Sequence, residues 1–419
     1  MVSLFSRYCI IFNRFNKGSE IVANKYIRKF RRLKKEGQNS TYMKNTKKVF
    51  EKRAVKLGII VAVILIIVGA LFFYKKYHKY TTYKIIESTN IKGGASSKYI
   101  PFGDYVIKYS YDGIAYIKDK ETVWEEAYEM KQPIIDVCDD YVAIADKNTN
   151  DIFIYNGKGR QGQVSVSYPI VKLEVAKQGV VAALLEDKTS NYIEVYDKEG
   201  KQLVSHKSII DENGYPINFS MSDDGERMAV SYLTVKNGSF ENKIQFYDFS
   251  NSGKNIENRM VKEFSGYGET IVPTISYVSN SQVVAIGEDI VSIYKVGNKD
   301  IAKKDIKIKE EIQKVFYNDK YVGLVFKNAS TDRPYRIEVY NSSGSQILNS
   351  TVDMDFENVT FAGDNILMYS DMRCEILSIK GVKKFQTNFK GQIYGLMPYD
   401  DSKTYLLMTN SKIQKIRLK

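Results

Sequence analysis

All-β, as a closed ring of eight four-stranded blades behind one membrane-spanning helix, is the fold class that the 419-residue sequence predicts. Three observations predict it. One strand-like segment recurs eight times at intervals of 37 to 51 residues, most intervals hold four short runs rich in Val, Ile, Tyr and Phe, and a single unbroken apolar run precedes the first repeat. A period of about 40 to 50 residues with four strands per unit is the sequence signature of a β-propeller.

In chain order, residues 1–56 come first and hold sixteen Lys and Arg against Glu20, Glu36 and Glu51, a net +13 equal to that of the whole chain. The remainder is therefore neutral, with 46 basic and 46 acidic side chains. The basic balance belongs to the tail alone, so it gives the large domain no nucleic-acid character, and no nucleic-acid partner is expected. Within the tail Val22, Tyr26, Phe30 and Leu33 recur at helical spacing among Lys25, Arg28, Lys29, Arg31 and Arg32. An apolar stripe under a basic face suits a helix lying on anionic lipid headgroups; a solvated, unfolded basic tail has the same composition. Met43 is an alternative start, because MKNTKKVFEKR has the form of a signal-anchor head.

Residues 57–74 read LGIIVAVILIIVGALFFY, bounded by Lys56 and by Lys75 and Lys76. At about 1.5 Å per residue such a run reaches roughly 27 Å, close to the hydrocarbon thickness of a bilayer. A cleavable signal peptide has a shorter apolar region and a small-x-small exit, whereas this run leaves through Phe72, Phe73 and Tyr74. It reads as an uncleaved single-pass anchor, with Leu57, Ile60, Ile64, Ile67, Leu71, Phe72 and Tyr74 facing lipid. Lys47, Lys48, Lys52, Arg53 and Lys56 set the topology, since positive charge is retained on the cytoplasmic side. The expected localisation is the cell membrane, with the tail in the cytoplasm and the large domain outside it.

Residues 75–97 form a juxtamembrane segment, in which Tyr77, Tyr80 and Tyr83 alternate with Lys at headgroup level and IKGGASS is a joint. From residue 98 to 419 the chain is strands and turns. The recurring strand reads IAYIKDKE at Ile114, IFIYNGKG at Ile152, IEVYDKEG at Ile193, IQFYDFSN at Ile244, VSIYKVGN at Val291, IEVYNSSG at Ile337, CEILSIKG at Cys374 and IQKIRLK at Ile413. The last unit runs out after three strands, and YKIIES at Tyr83 is available as the fourth. Closing the ring with both chain ends removes an open sheet edge. A ring of seven blades, with one weak copy misread, is the alternative count.

MSDDGERMAVSYL at Met221 is similar to a strand pair common in WD40-like and TolB-like propellers, and IAYIKDKETVWEEAYE at Ile114 resembles a quinoprotein-type blade. The order of basic head, single span and propeller resembles that of an uncharacterised family of membrane-anchored propellers of Gram-positive bacteria, over nearly the whole chain. These resemblances imply the fold and no activity. Quinoprotein cofactor binding does not carry over, because that family repeats its docking tryptophans and Trp124 stands alone here.

The chemistry-bearing residues are sparse. His78 and His206 are the only histidines, so a nucleophile–histidine site would have to use His206, whose setting LVSHKS is that of a strand ending a blade. Cys138 and Cys374 lie in apolar runs of different units and read as free buried thiols, with a disulfide between them as the other reading. DKNTND at Asp146 begins like a calcium loop but lacks the Gly at its sixth position and the Glu at its twelfth, so it reads as a hairpin turn. The pairs Asp139-Asp140, Asp223-Asp224 and Asp400-Asp401 fall in turns, where Asp suits the backbone. Among candidate inner strands only Asp136, Glu174 and Glu357 offer carboxylates to a channel. No cofactor, metal or catalytic residue is assigned.

Two function classes remain. The first is a non-catalytic extracytoplasmic module that binds or scaffolds an envelope protein, peptide or glycan. The second is an extracytoplasmic hydrolase or lyase with its carboxylates in the propeller channel. A fold by itself chooses between neither, and the lack of a catalytic constellation favours the first.

Overall fold

The structure is a computed structural model that describes residues 56, 59–70, 73, 74 and 77–419, apart from 92–95, 104, 119, 120, 237, 299, 400 and 401. Its contacts separate a compact unit, Lys79–Lys419, from the residues before it. In the latter, residues 59–70 are helical. Among the described residues no helix is long and apolar enough to cross a membrane. Ile60, Ile64, Ile67, Tyr74 and Lys56 fall on described helical positions, whereas Lys47, Lys48, Lys52, Arg53, Leu57, Leu71, Phe72 and the stretch 22–33 lie outside the described residues.

Lys79–Lys419 contains eight four-stranded antiparallel sheets. Seven are built from consecutive strands, numbered here as blades 1 to 7 in chain order, with innermost strands Lys98–Phe102, Pro133–Cys138, Ile170–Val175, Tyr215–Met221, Thr274–Ser279, Ile312–Tyr317 and Asn358–Ala362. Blade 8 takes Gly395–Pro398, Thr404–Met408 and Lys412–Leu418 from the chain's end and Tyr83–Asn90 from its start. The last two pair from Tyr83 opposite Leu418 to Asn90 opposite Lys412, interrupted by a bulge at Ile86. The eight-blade count and the closure by both ends are therefore as the repeat spacing predicts. The first blade's innermost strand is Lys98–Phe102.

Burial explains the sequence pattern. Middle strands such as Val181–Glu186 and Tyr141–Asp146 are buried on both faces between neighbouring blades and so carry continuous apolar runs. Outer strands such as Glu121–Ala127 alternate exposed with half-buried residues. Between blades 1 and 8, Val106 and Ile117 pack with Leu406, Met408 and Ile413. Between blades 7 and 8, Leu367, Ile376 and Phe385 pack with Leu407 and Ile416, and Tyr83 lies against the same cluster. The seam is thus cored on both sides.

The recurring strand is the third of each blade, and its fourth residue is buried in all eight copies. Where that residue is Tyr, its hydroxyl needs a partner, and the side chain two positions earlier shares its face of the strand. Tyr196 donates to Glu194 at 2.5 Å, Tyr247 to Gln245 at 2.6 Å and Tyr340 to Glu338 at 2.6 Å. Blade 2 carries Phe153 at that earlier position, and Tyr155 is instead stacked under Trp124 of blade 1, with centroids 5.1 Å apart. In blade 5 Tyr294 pairs with Tyr267, which also donates to Ser292 at 3.0 Å.

Candidate functional site

The innermost strands of neighbouring blades lie against one another, so their side chains face either the next blade or the channel the ring encloses. Asp136, Lys172 and Glu174 meet on this inner surface in blades 2 and 3. Lys172 and Glu174 are two residues apart on one strand and so share a face; their ion pair is 2.8 Å long. An ammonium has three hydrogens, and Lys172 has three acceptors: Glu174 Oε1 at 2.8 Å, Asn218 Oδ1 at 2.6 Å and the Phe219 carbonyl at 2.5 Å. Its donors are spent inside the protein.

The carboxylates act as latches from blade to blade. Asp136 Oδ2 accepts the Val175 N–H of blade 3 at 2.7 Å, and Glu174 Oε2 accepts the Met221 N–H of blade 4 at 2.7 Å. Ser220 of blade 4 continues the series by accepting the Tyr277 N–H of blade 5 at 2.9 Å. Asn218 adds a bond to the Pro273 carbonyl of blade 5 at 2.7 Å. Both oxygens of Glu174 are therefore committed.

Asp136 differs from Glu174 in having no cation within ion-pair distance among the described residues. Burial first, and then the Glu174 carboxylate, push it up to about 7, while the N–H groups of Val175 and Val137 and the charge of Lys172 pull the other way. It lines a cavity of about 370 Å³ together with Lys172, Glu174, Ile134, Ile135, Val171, Leu173 and Tyr109. Tyr317 of blade 6 is pushed up by burial, and Glu174 and Asp136 add to the effect against a hydrogen bond from Ser276. On the side of blades 1 and 8, burial raises Tyr99 to about 12, with Ser97 opposing and Tyr394 adding.

The other sequence candidates stand apart from this cluster. Glu357 is exposed just before its strand and contributes its backbone carbonyl, which accepts from Lys314 at 2.8 Å. His206 bonds through Nε2 to the Tyr247 hydroxyl at 3.2 Å, in a chain that continues to Tyr232 and Ser208, and burial pushes its imidazole down. Cys138 and Cys374 are free thiols. Cys374 is buried, but Cys138 is only half-buried, in partial correction of the sequence reading; its thiol is raised to about 12 by burial and then by Asp223, Asp139 and Asp136. Neither has thiolate character at neutral pH.

At Asp146 the loop is a hairpin: the carboxylate accepts the N–H groups of Lys131 and Gln132, and Thr149 caps the Asp146 carbonyl at 2.7 Å. Among the described residues no group of three or more His, Cys, Asp or Glu stands where it could hold a metal ion. Asp139 occupies a left-handed turn position with φ 48° and Asp224 accepts from Ser222 and Glu226, both turn roles; Asp400 and Asp401 lie outside the described residues. Sequence reasoning missed Lys172 and Tyr317. The K-x-E spacing in IVKLEV was the available signal for the first, whereas Tyr317 meets the cluster only through ring closure.

The family model of DUF5711, a family of unknown function, matches residues 76–418. The chain belongs to this family. No curated protein matches it. Among solved structures this DUF5711 chain is similar to BamB from Moraxella catarrhalis, with 11% identity and a TM-score of 0.51 over 80% of this chain and 100% of that one. It is also similar to Chaetomium thermophilum Sqt1 bound to the N-terminus of the ribosomal protein L10, with 10% identity and a TM-score of 0.48 over 76% of this chain and 92% of that one. At such identities the likeness to BamB shows the propeller fold alone.

Proposed function

We propose that this DUF5711 chain is a membrane-anchored extracytoplasmic propeller that binds or scaffolds an envelope protein, peptide or glycan and performs no reaction of its own. The observation that carries the non-catalytic half is the commitment of the channel carboxylates. Glu174 gives one oxygen to Lys172 and the other to Met221, and Asp136 gives one to Val175. A carboxylate hydrolase needs an acid and a second carboxylate free to reach the reacting centre.

The anchoring half rests on residues 57–74, an apolar run of spanning length, and on the basic charge ahead of it. In this reading the helix crosses the bilayer once, the tail lies in the cytoplasm against anionic headgroups, and Lys419 is outside. A reporter that works only outside the cytoplasm, fused after Lys419, is expected to be active. Activity from a cytoplasm-only reporter at that position would overturn the orientation. In-cell crosslinking of the full chain followed by mass spectrometry is expected to return a reproducible envelope partner, and a chain that crosslinks only to itself and lipid would sink the scaffold role.

A further inference from the structure

We propose that the channel cavity beside blades 2 and 3 binds an alkylammonium group, with the Asp136 carboxylate as its counter-ion and the apolar walls around its methylene stem. The inference rests on the binding-module reading above and gives that module a ligand chemistry. Lys172 and Glu174 neutralise each other at 2.8 Å, and every ammonium hydrogen of Lys172 already has an acceptor. An anionic ligand would meet no free donor on Lys172 and would face Asp136.

Asp136 is the unbalanced charge. Its Oδ2 serves Val175, and no cation among the described residues pairs with it. The groups around it are Glu174 and Lys172 from blade 3, Tyr317 from blade 6 and Cys138 two residues along its own strand, with Tyr109 on the blade 1 side of the cavity. A half-buried carboxylate without a counter-ion attracts a cation that can also donate a hydrogen bond. The walls then choose among cations. Ile134, Ile135, Val171 and Leu173 offer no hydrogen-bonding side chain to a sugar's hydroxyls, but they do suit four or five methylenes. A volume of about 370 Å³ takes one such chain with its amine. Two sources carry this chemistry, a free alkylamine and the lysine side chain of an extended peptide.

The test is calorimetric titration of the purified full chain with n-pentylamine and, separately, with Nα-acetyl-lysine methylamide. At pH 8 at least one probe is expected to bind: pentylamine alone or both point to a free amine, and the lysine derivative alone points to a peptide. The Nε-acetylated lysine derivative, which has the same stem but no charge, is expected not to bind. Because the carboxylate must be ionised, affinity should be roughly tenfold lower at pH 6 than at pH 8. Asp136→Asn keeps an oxygen for the Val175 N–H and removes the charge, so it should weaken binding at least tenfold while the chain still unfolds cooperatively. If that variant does not fold, the Nε-acetyl control and the pH profile of the unaltered chain still decide. Absence of binding by both probes, equal binding of the Nε-acetylated control, or undiminished binding to folded Asp136→Asn would overturn the proposal. Crosslinked partners that persist beside any of these results would leave the scaffold reading standing and remove only the amine.

Discussion

Blades 2 to 4 and blade 6 solve the same packing problem at the same strand position with opposite chemistry. Asp136, Glu174 and Ser220 sit opposite Ala143, Ala182 and Ala229 on the second strand and reach a backbone N–H of the next blade. In blade 6 the position is Phe316, opposite Gly323, and it reaches the next blade through the Phe361 ring, with centroids 4.5 Å apart. The missing side chain makes the room, since a Cβ on Gly323 would lie 2.2 Å from the Phe316 ring. Inter-blade cohesion at this position therefore does not require a particular residue type. It requires that the reaching side chain and the residue beneath it be chosen together, which lets blades 2 to 4 carry polar groups where blade 6 carries an aromatic one.

Both solutions depend on a closed ring, so the harshest way to break the comparison is to open it. Removing residues 413–419 takes away most of Lys412–Leu418, the strand that separates Tyr83–Asn90 from Thr404–Met408. Two new edges would be exposed at once, and Leu406 and Met408 would lose Ile413 from their cluster. The truncated chain is expected to lose cooperative unfolding or to aggregate, as followed by circular dichroism on heating. A cooperative transition at the parent's temperature would mean that blade 8 does not hold the ring.

The next largest effect should separate the aromatic contact from the polar ones. Phe316 is 6% exposed, and Phe316→Ala deletes its packing on Phe361 above a glycine that cannot fill the space. A loss of about 3 to 5 kcal/mol is expected in denaturant unfolding. Glu174→Ala should cost less, about 1 to 3 kcal/mol, by leaving the Met221 N–H without its acceptor and Lys172 without its counter-ion. Glu174→Gln keeps an oxygen for Met221 and should fall between Glu174→Ala and the parent chain. If Glu174→Ala destabilises more than Phe316→Ala, the polar contact and not the aromatic one carries the greater share of inter-blade cohesion.

The ring was legible in the sequence because blades are repeats, and a repeat shows itself in spacing. The buried Tyr of IEVY at 193 and at 337 is positioned alike in each copy, so the third strand could be found and counted without knowing what it touches. The cluster was only partly legible. Asp136 and Glu174 stood out as carboxylates in inner strands, but strand alternation alone leaves their direction open, and the structure turns an oxygen of each toward the next blade's backbone. Their partners are 39 and 47 residues away. Such contacts are set by how blades pack, which no local pattern encodes.

The smallest effect tests Asp136 alone, and its sign is set by linkage. A carboxyl raised from its ordinary range to about 7 binds its proton more tightly in the folded chain than in the unfolded one. That preference stabilises the fold below the ordinary carboxyl range and is lost progressively as pH rises from about 4 to about 7. Asp136→Asn has no proton to lose and can still accept the Val175 N–H. Its stability relative to the parent chain should therefore rise with pH across that window, from lower or equal at pH 5 to higher at pH 8. Comparing the two chains cancels the many other carboxylates, which titrate in both. Melting temperatures measured at pH 5, 6, 7 and 8 check this. A difference between the chains that stays flat with pH would mean that Asp136 is not held against ionisation, and that the channel's unbalanced charge is already compensated.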